Sequence, residues 1–163
     1  MADRIMIVDD DPLALRAVAH TLRHYLPTAA IETFSTPDSA LLRLEAQSFA
    51  VVLTDFNMPG INGLRLLKIA RELGSDASFI VMTGDSTEDI LTEGLRLGLF
   101  ALLDKPLNRL SLIPLVQQAA ECHRLRQEIA GLRRTLIDSG VELGNLMRSL
   151  IPEPEVVQST LPY

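Results

Sequence analysis

Six side chains carry the chemistry open to this sequence: the consecutive acids Asp9, Asp10 and Asp11, then Asp55, Thr83 and Lys105. Each arrives at the end of a short aliphatic run. Arg4-Ile5-Met6-Ile7-Val8 leads into the three acids, and Ala50-Val51-Val52-Leu53-Thr54 leads into Asp55, followed at once by Phe56-Asn57-Met58-Pro59-Gly60. Phe79-Ile80-Val81-Met82 delivers Thr83-Gly84, and Ala101-Leu102-Leu103 leads through Asp104 to Lys105-Pro106. Carboxylate oxygens are hard ligands that suit Mg²⁺, and one of them can also act as a nucleophile. A hydroxyl and an amine can bind the oxygens of a transferred phosphoryl group. Phosphoryl transfer asks mainly for positioning and charge stabilisation, which this set supplies.

To bring these groups together, the aliphatic runs must be neighbouring strands. Short, near-continuous β-branched and aliphatic runs read as parallel strands buried on both faces, and open α/β sheets place ligands at the carboxyl ends of their strands. Between the runs lie helical patterns. Asp11-Pro12 reads as an N-cap with proline at the first helical position, and Leu15, Val18, Ala19 and Leu22 give an apolar face to about Tyr25. Ala30–Phe34 alternates as a short strand. Ser35-Thr36-Pro37 opens a second helix, with Leu41, Leu42 and Leu44 expected inward, and a third runs from Gly63 to Leu73. Ser86-Thr87-Glu88-Asp89 caps a fourth that ends near Gly98. The fifth is expected to begin around Ser111, because Pro114 is tolerated in a first turn but not deeper. The alternation predicts a doubly wound, flavodoxin-like (βα)5 domain with a five-stranded parallel sheet and right-handed crossovers.

With 15 basic and 21 acidic residues the net charge is -6, which argues against non-specific nucleic-acid binding. The single Cys122 cannot form an internal disulfide and fits a reducing compartment. The start of the chain does not resemble a signal peptide, and no stretch approaches the ~18 apolar residues of a membrane span. The expectation is a cytoplasmic protein with no membrane contact.

The character of the chain changes near Ala119. Leu125, Ile129, Leu132, Leu136, Leu143, Leu146 and Leu150 follow a heptad seam, interrupted where Ser139 takes one seam position. Gly131 and Gly140 weaken the helix by ~1 kcal/mol each relative to alanine. The expected organisation is a domain over 1–120, an amphipathic, coiled-coil helix over 121–151 that pairs two copies into a homodimer, and a tail or linker over 152–163. The plainer alternative is a helix folded back on its own domain. Other residues have plain readings: His20 and His24 as a solvated helix face, His123 as exposed, and Phe34, Phe49 and Phe79 as core.

In combination, Ile7-Val8-Asp9-Asp10-Asp11-Pro12, Leu53-Thr54-Asp55-Phe56-Asn57-Met58-Pro59-Gly60-Ile61-Asn62-Gly63, Val81-Met82-Thr83-Gly84 and Asp104-Lys105-Pro106 closely resemble the receiver domain of two-component response regulators, over Arg4 to about Ala120. The resemblance implies that Asp55 accepts a phosphoryl group from a phosphohistidine of a sensor histidine kinase or phosphotransfer protein. It implies Mg²⁺ held by Asp10 and Asp55 directly, by Asp9 through water and by the backbone carbonyl of Asn57. Lys105, before a cis Pro106, would contact the phosphoryl group, and Thr83 would turn towards it. One departure stands out: Leu102 occupies a position, three before the lysine, where the family commonly carries an aromatic residue. Output is then expected through the C-terminal helix or a downstream domain. Two other classes compete. A haloacid-dehalogenase-like phosphatase shares the aspartate, Mg²⁺, hydroxyl and lysine, but needs a second acid where this chain has Asn57. A phosphorylation-independent dimeric scaffold would need none of the acids. A protein that turns over no substrate beyond its own phosphorylation is the expectation.

Overall fold

The computed structural model describes residues 3–138. A first unit extends to Leu125 and a second begins at Arg126. Ser139, Leu143, Leu146 and Leu150 of the seam, Gly140, and the 152–163 tail lie outside the described residues. In chain order the elements are β1 (Arg4–Val8), α1 (Pro12–Tyr25), β2 (Ala30–Phe34), α2 (Pro37–Ala46), β3 (Val51–Asp55), α3 (Gly63–Glu72), β4 (Ser78–Thr83), α4 (Glu88–Arg96), β5 (Ala101–Asp104) and α5 (Arg109–Asp138). The strands form one parallel sheet in the order β2-β1-β3-β4-β5. This is the doubly wound, flavodoxin-like arrangement, and its switch point lies between β1 and β3.

Alternation along each strand sorts the core into two layers. Ile5, Ile7, Val51, Leu53, Ile80, Met82 and Leu103 face one side, against Val18, Ala19 and Leu22 of α1 and Leu112, Val116 and Ala119 of α5. Met6, Val8, Val52, Phe79 and Val81 face the other, against Ala40 and Leu44 of α2 and Leu64, Leu66, Leu67 and Ala70 of α3. The helix starts are capped as the side chains dictate: Asp11 accepts from the Leu13 amide, Thr36 from Ser39, Asn62 from Arg65 and Thr87 from Ile90. α4 is the exception to deep burial, since only Gly94 is fully buried along it.

Three expectations are corrected. Leu42 is 69% exposed, because the inward stripe of α2 runs through Pro37, Ala40 and Leu44 at helical spacing. α5 starts at Arg109, two residues early, because Asn108 accepts hydrogen bonds from the Leu110 and Ser111 amides and so caps the helix. Pro114 consequently lies inside the helix, beyond the first turn, where it cannot donate to the carbonyl of Leu110, itself an exposed residue. His123 is largely buried and sits 3.3 Å from the Asp76 carboxylate. Among the described residues no helix is long and apolar enough to cross a membrane.

The edge strand β2 is tied to its neighbours by charge. Arg43 of α2 grips Glu32 with two hydrogen bonds, at 2.7 and 3.0 Å, and Arg4 of β1 approaches the same carboxylate at 3.6 Å. The Arg43 hydrogen bond holds the Glu32 carboxyl below its ordinary value, against the opposing effect of burial. A depressed carboxyl contributes stability that is complete above its unfolded value and is lost as pH falls through the folded one. Glu32→Gln should therefore lower the urea unfolding midpoint at neutral pH, and the gap to wild type should close in acid below the usual glutamate range. A gap of equal size at both pH values would show that the pair does not act through charge.

Candidate functional site

Strand register assembles the site. Val8 pairs with Thr54 across β1 and β3, so Asp9 and Asp55 emerge side by side where the two strands end. Thr83 pairs with Asp104 across β4 and β5, which brings Lys105 to the same edge. The loops continue the ladder: the Asp9 amide donates to Phe34, the Phe56 amide to Met82 and the Lys105 amide to Thr83 at 2.7 Å. The Lys105–Pro106 peptide is cis.

Asp9 and Asp55 are buried, at 2% and 6% exposure, whereas Asp10 is exposed. One oxygen from each of the three carboxylates lies within 4.8 Å of the others, so the trio could hold a metal ion. The chemistry of the donors, carboxylates only, fits a hard divalent cation. The Lys105 ammonium reaches into the cluster and spans two acids, 2.6 Å from Asp55 Oδ1 and 3.3 Å from Asp9 Oδ2. Asp9 Oδ1 accepts from the Asp11 amide at 2.9 Å. Asp55 Oδ2 has no hydrogen-bond partner among the described residues. Burial pushes the Asp9 carboxyl above its ordinary value, with the neighbouring Asp55 charge adding to it, while the Asp11 amide and Lys105 pull the other way. Burial lowers the Lys105 ammonium, but the Asp55 hydrogen bond and the two carboxylate charges outweigh it and hold the amine above its usual value.

The remaining expected residues sit on β4, on the turn after β3, on β5 and on α1. Thr83 is buried at the end of β4, with its hydroxyl accepting from the Asp85 amide at 3.1 Å and directed at the Asp85 carbonyl at 3.3 Å. Asn57 is exposed in the turn after β3. Leu102 is half-buried and packs, with Ile90, against the core layer beneath α2 and α3. His20 and His24 are exposed on α1. Two features escaped the sequence reading. Ser86 hydrogen-bonds Asp104, a contact between residues 18 apart that no spacing rule reveals. Gly63 lies against the strand end that carries Asp55, and a glycine at a helix start was the available signal.

Residues 5–117 match the model of a family described as the response regulator receiver domain. The chain is 30% identical over 137 residues to the C4-dicarboxylate transport transcriptional regulatory protein DctD of Pseudomonas aeruginosa, a match covering 83% of this chain and 29% of that protein. It therefore spans under a third of the length of that relative. A CheY-like response regulator receiver domain protein from Methanospirillum hungatei JF-1 superposes with a TM-score of 0.72 at 25% identity, covering 77% of this chain and 99% of that one. A BeF3-activated DrrB receiver domain superposes with a TM-score of 0.66 at 26% identity, covering 74% and 99% respectively.

Gly63 supplies a direct test of how tightly the site is built. A Cβ there would stand 2.6 Å from the Asp55 carbonyl oxygen and 3.1 Å from Thr54 Cγ2. The first contact is with backbone at the end of a central strand, which cannot yield as a flexible side chain can. Helix propensity favours alanine over glycine by at most ~1 kcal/mol, whereas forced overpacking costs about 1–3 kcal/mol. Gly63→Ala should lose about 1–2 kcal/mol in urea unfolding. A net gain in stability would mean that α3 and β3 can separate freely.

Proposed function

The chain belongs to the response regulator receiver family, and from that premise we propose that Asp55 is the phosphoacceptor of a Mg²⁺-dependent switch phosphorylated by a sensor histidine kinase or phosphotransfer protein. The single observation that carries the reading is the buried Asp55 carboxylate, with Oδ1 bound to Lys105 at 2.6 Å and two further acids within metal-binding reach. Asp55 Oδ2 attacks the phosphorus of a phosphohistidine; the O–P bond forms as the P–N bond breaks, and the imidazole leaves with the electron pair. Asp9, Asp10, Asp55 and the Asn57 carbonyl would hold the Mg²⁺. When bound, the ion offsets the charge of the carboxylates and of the incoming phosphoryl oxygens. Lys105, held protonated by its two carboxylate neighbours, is placed to shift from Asp55 to a phosphoryl oxygen. Thr83 supplies a hydroxyl donor once it is released from Asp85. Asn57 stands where a phosphatase of the dehalogenase type would need an acid, which favours a switch over an enzyme that turns over phosphate esters.

Asp55→Asn should abolish phosphate incorporation from a small phosphodonor in Mg²⁺, with the fold intact by circular dichroism, and chelating the metal should stop labelling of the wild type. Equal labelling of mutant and wild type would sink the assignment.

The output we propose is a homodimeric coiled coil over 121–151, following a receiver domain over 1–120. Leu112, Val116 and Ala119 form the core-facing stripe of α5. Leu125 lies nine positions beyond Val116, about two and a half turns, so it leaves that stripe, and it is 49% exposed. Ile129 and Leu132 continue the seam at 51% and 65% exposure. Leu132→Glu combined with Leu136→Glu, or truncation after Ala120, should yield monomers that still accept phosphate. Finding the intact chain monomeric by light scattering at tens of micromolar would overturn the dimer.

A further inference from the structure

We propose that Ser86 and Asp104 form a latch that holds the turn between β4 and α4 in the arrangement where Thr83 is bonded to Asp85, so that this one hydrogen bond sets how readily a phosphoryl group on Asp55 recruits Thr83. The inference rests on the reading of Asp55 as acceptor. It begins from where the Thr83 hydroxyl is spent. Its proton faces the Asp85 carbonyl and its lone pair receives the Asp85 amide, so it has no proton for a phosphoryl oxygen while both bonds to Asp85 are kept. Those residues are held from the other side by Ser86 Oγ, which donates to Asp104 Oδ1. Asp104 is a fixed anchor: it ends β5, pairs with Thr83 across the ladder, and immediately precedes Lys105, whose amide bonds the Thr83 carbonyl at 2.7 Å.

The segment that the latch restrains has little else to hold it. Gly84, Asp85, Ser86 and Thr87 are all exposed. α4, which follows, has only Gly94 fully buried, with Ile90 and Leu97 partly packed on the core. Leu91 and Leu95 are 42% and 63% exposed. With so little apolar burial to overcome, a single charge-assisted hydrogen bond is a large share of what keeps the turn in place. Leu102, half-buried against the same core layer as Ile90, presents no aromatic plane to reinforce either arrangement. Ser86 and Asp104 thus act as positioning residues through Thr83, and neither touches the Asp55 carboxylate.

A ligand that needs the minor arrangement binds with an affinity reduced by that arrangement's population. Beryllofluoride, a phosphoryl mimic that completes an acyl-phosphate-like group on a carboxylate, is a suitable probe and can be titrated into the full chain in Mg²⁺ with fluorine NMR. Because the bond is exposed, water offsets the advantage of its charge and leaves it an ordinary net strength; removing it should raise the population of the free Thr83 arrangement, so Ser86→Ala should bind beryllofluoride roughly fivefold tighter than wild type. Ser86→Thr, which keeps the hydroxyl, should stay close to wild type. In an Asp104→Ala background, Ser86→Ala should have no further effect, which separates the latch from a simple change of charge near the site. A purely structural role would lower the melting temperature without tightening the probe. Unchanged or weaker binding by Ser86→Ala, or an undiminished effect of it in the Asp104→Ala background, overturns the latch while leaving the phosphoacceptor reading in place. Failure of the wild type to bind beryllofluoride at all overturns both.

Discussion

The structure turns on one electrostatic problem: two carboxylates, Asp9 and Asp55, are buried side by side at the edge of a sheet and share the Lys105 ammonium. Removing charges from water is costly unless they are paired and hydrogen-bonded. Here one ammonium serves two acids, and the price of burial is still visible in the raised Asp9 carboxyl. Such an arrangement survives only if the backbone permits no relaxation. The register of β1 against β3, and of β4 against β5, supplies that rigidity, because each acid or amine leaves a strand whose other face is packed by helices. Gly63 completes it by letting α3 sit directly on the Asp55 carbonyl.

Rigidity at the acids contrasts with the elements just beyond. β3 is buried at every position, and α3 buries five of its ten residues. α4 buries one. The free energy holding an element in place scales with the apolar surface it removes from water, so a new charge at Asp55 meets a fixed sheet on one side and a weakly held turn on the other. Movement is expected where resistance is least, at residues 84–97. This division follows from burial alone and needs no wire of residues across the domain.

Most of the fold was legible because the strands are short aliphatic runs ended by polar residues, and because Asp11, Thr36, Asn62 and Thr87 are N-caps by type as well as by position. The adjacency of Asp9, Asp55 and Lys105 followed from a general property of doubly wound sheets rather than from any local signal. Leu42 was misassigned because three leucines within four residues cannot all share one helical face, and hydrophobicity alone does not say which is left outside. The start of α5 moved because Asn108, a good cap by type, outweighed the preference of Pro114 for a first turn. His123–Asp76 and Ser86–Asp104 were invisible for a different reason: they join residues 47 and 18 apart, and polar pairs across a fold leave no periodicity in the chain.

The two ends of β4 show how such long-range pairs give the sheet a role beyond support. At its carboxyl end Thr83 holds the Lys105 amide through its carbonyl. At its amino end the Ser78 hydroxyl donates to the Ala119 carbonyl of α5 at 2.9 Å, in a buried contact. α5 is also bound from above, since only Pro106 and Leu107 separate Lys105 from its Asn108 cap. The first unit therefore anchors α5 twice, once beside the acids and once at the opposite edge of the same strand. A helix held at two points along one strand cannot tilt about either of them without breaking a buried hydrogen bond. A change at Asp55 can then reach α5 only as a small concerted shift with the sheet, whereas α4, with no such second anchor among the described residues, is free to move by more. Within the first unit the geometry thus separates a stiff helix start, tied to both ends of β4, from the loosely held α4.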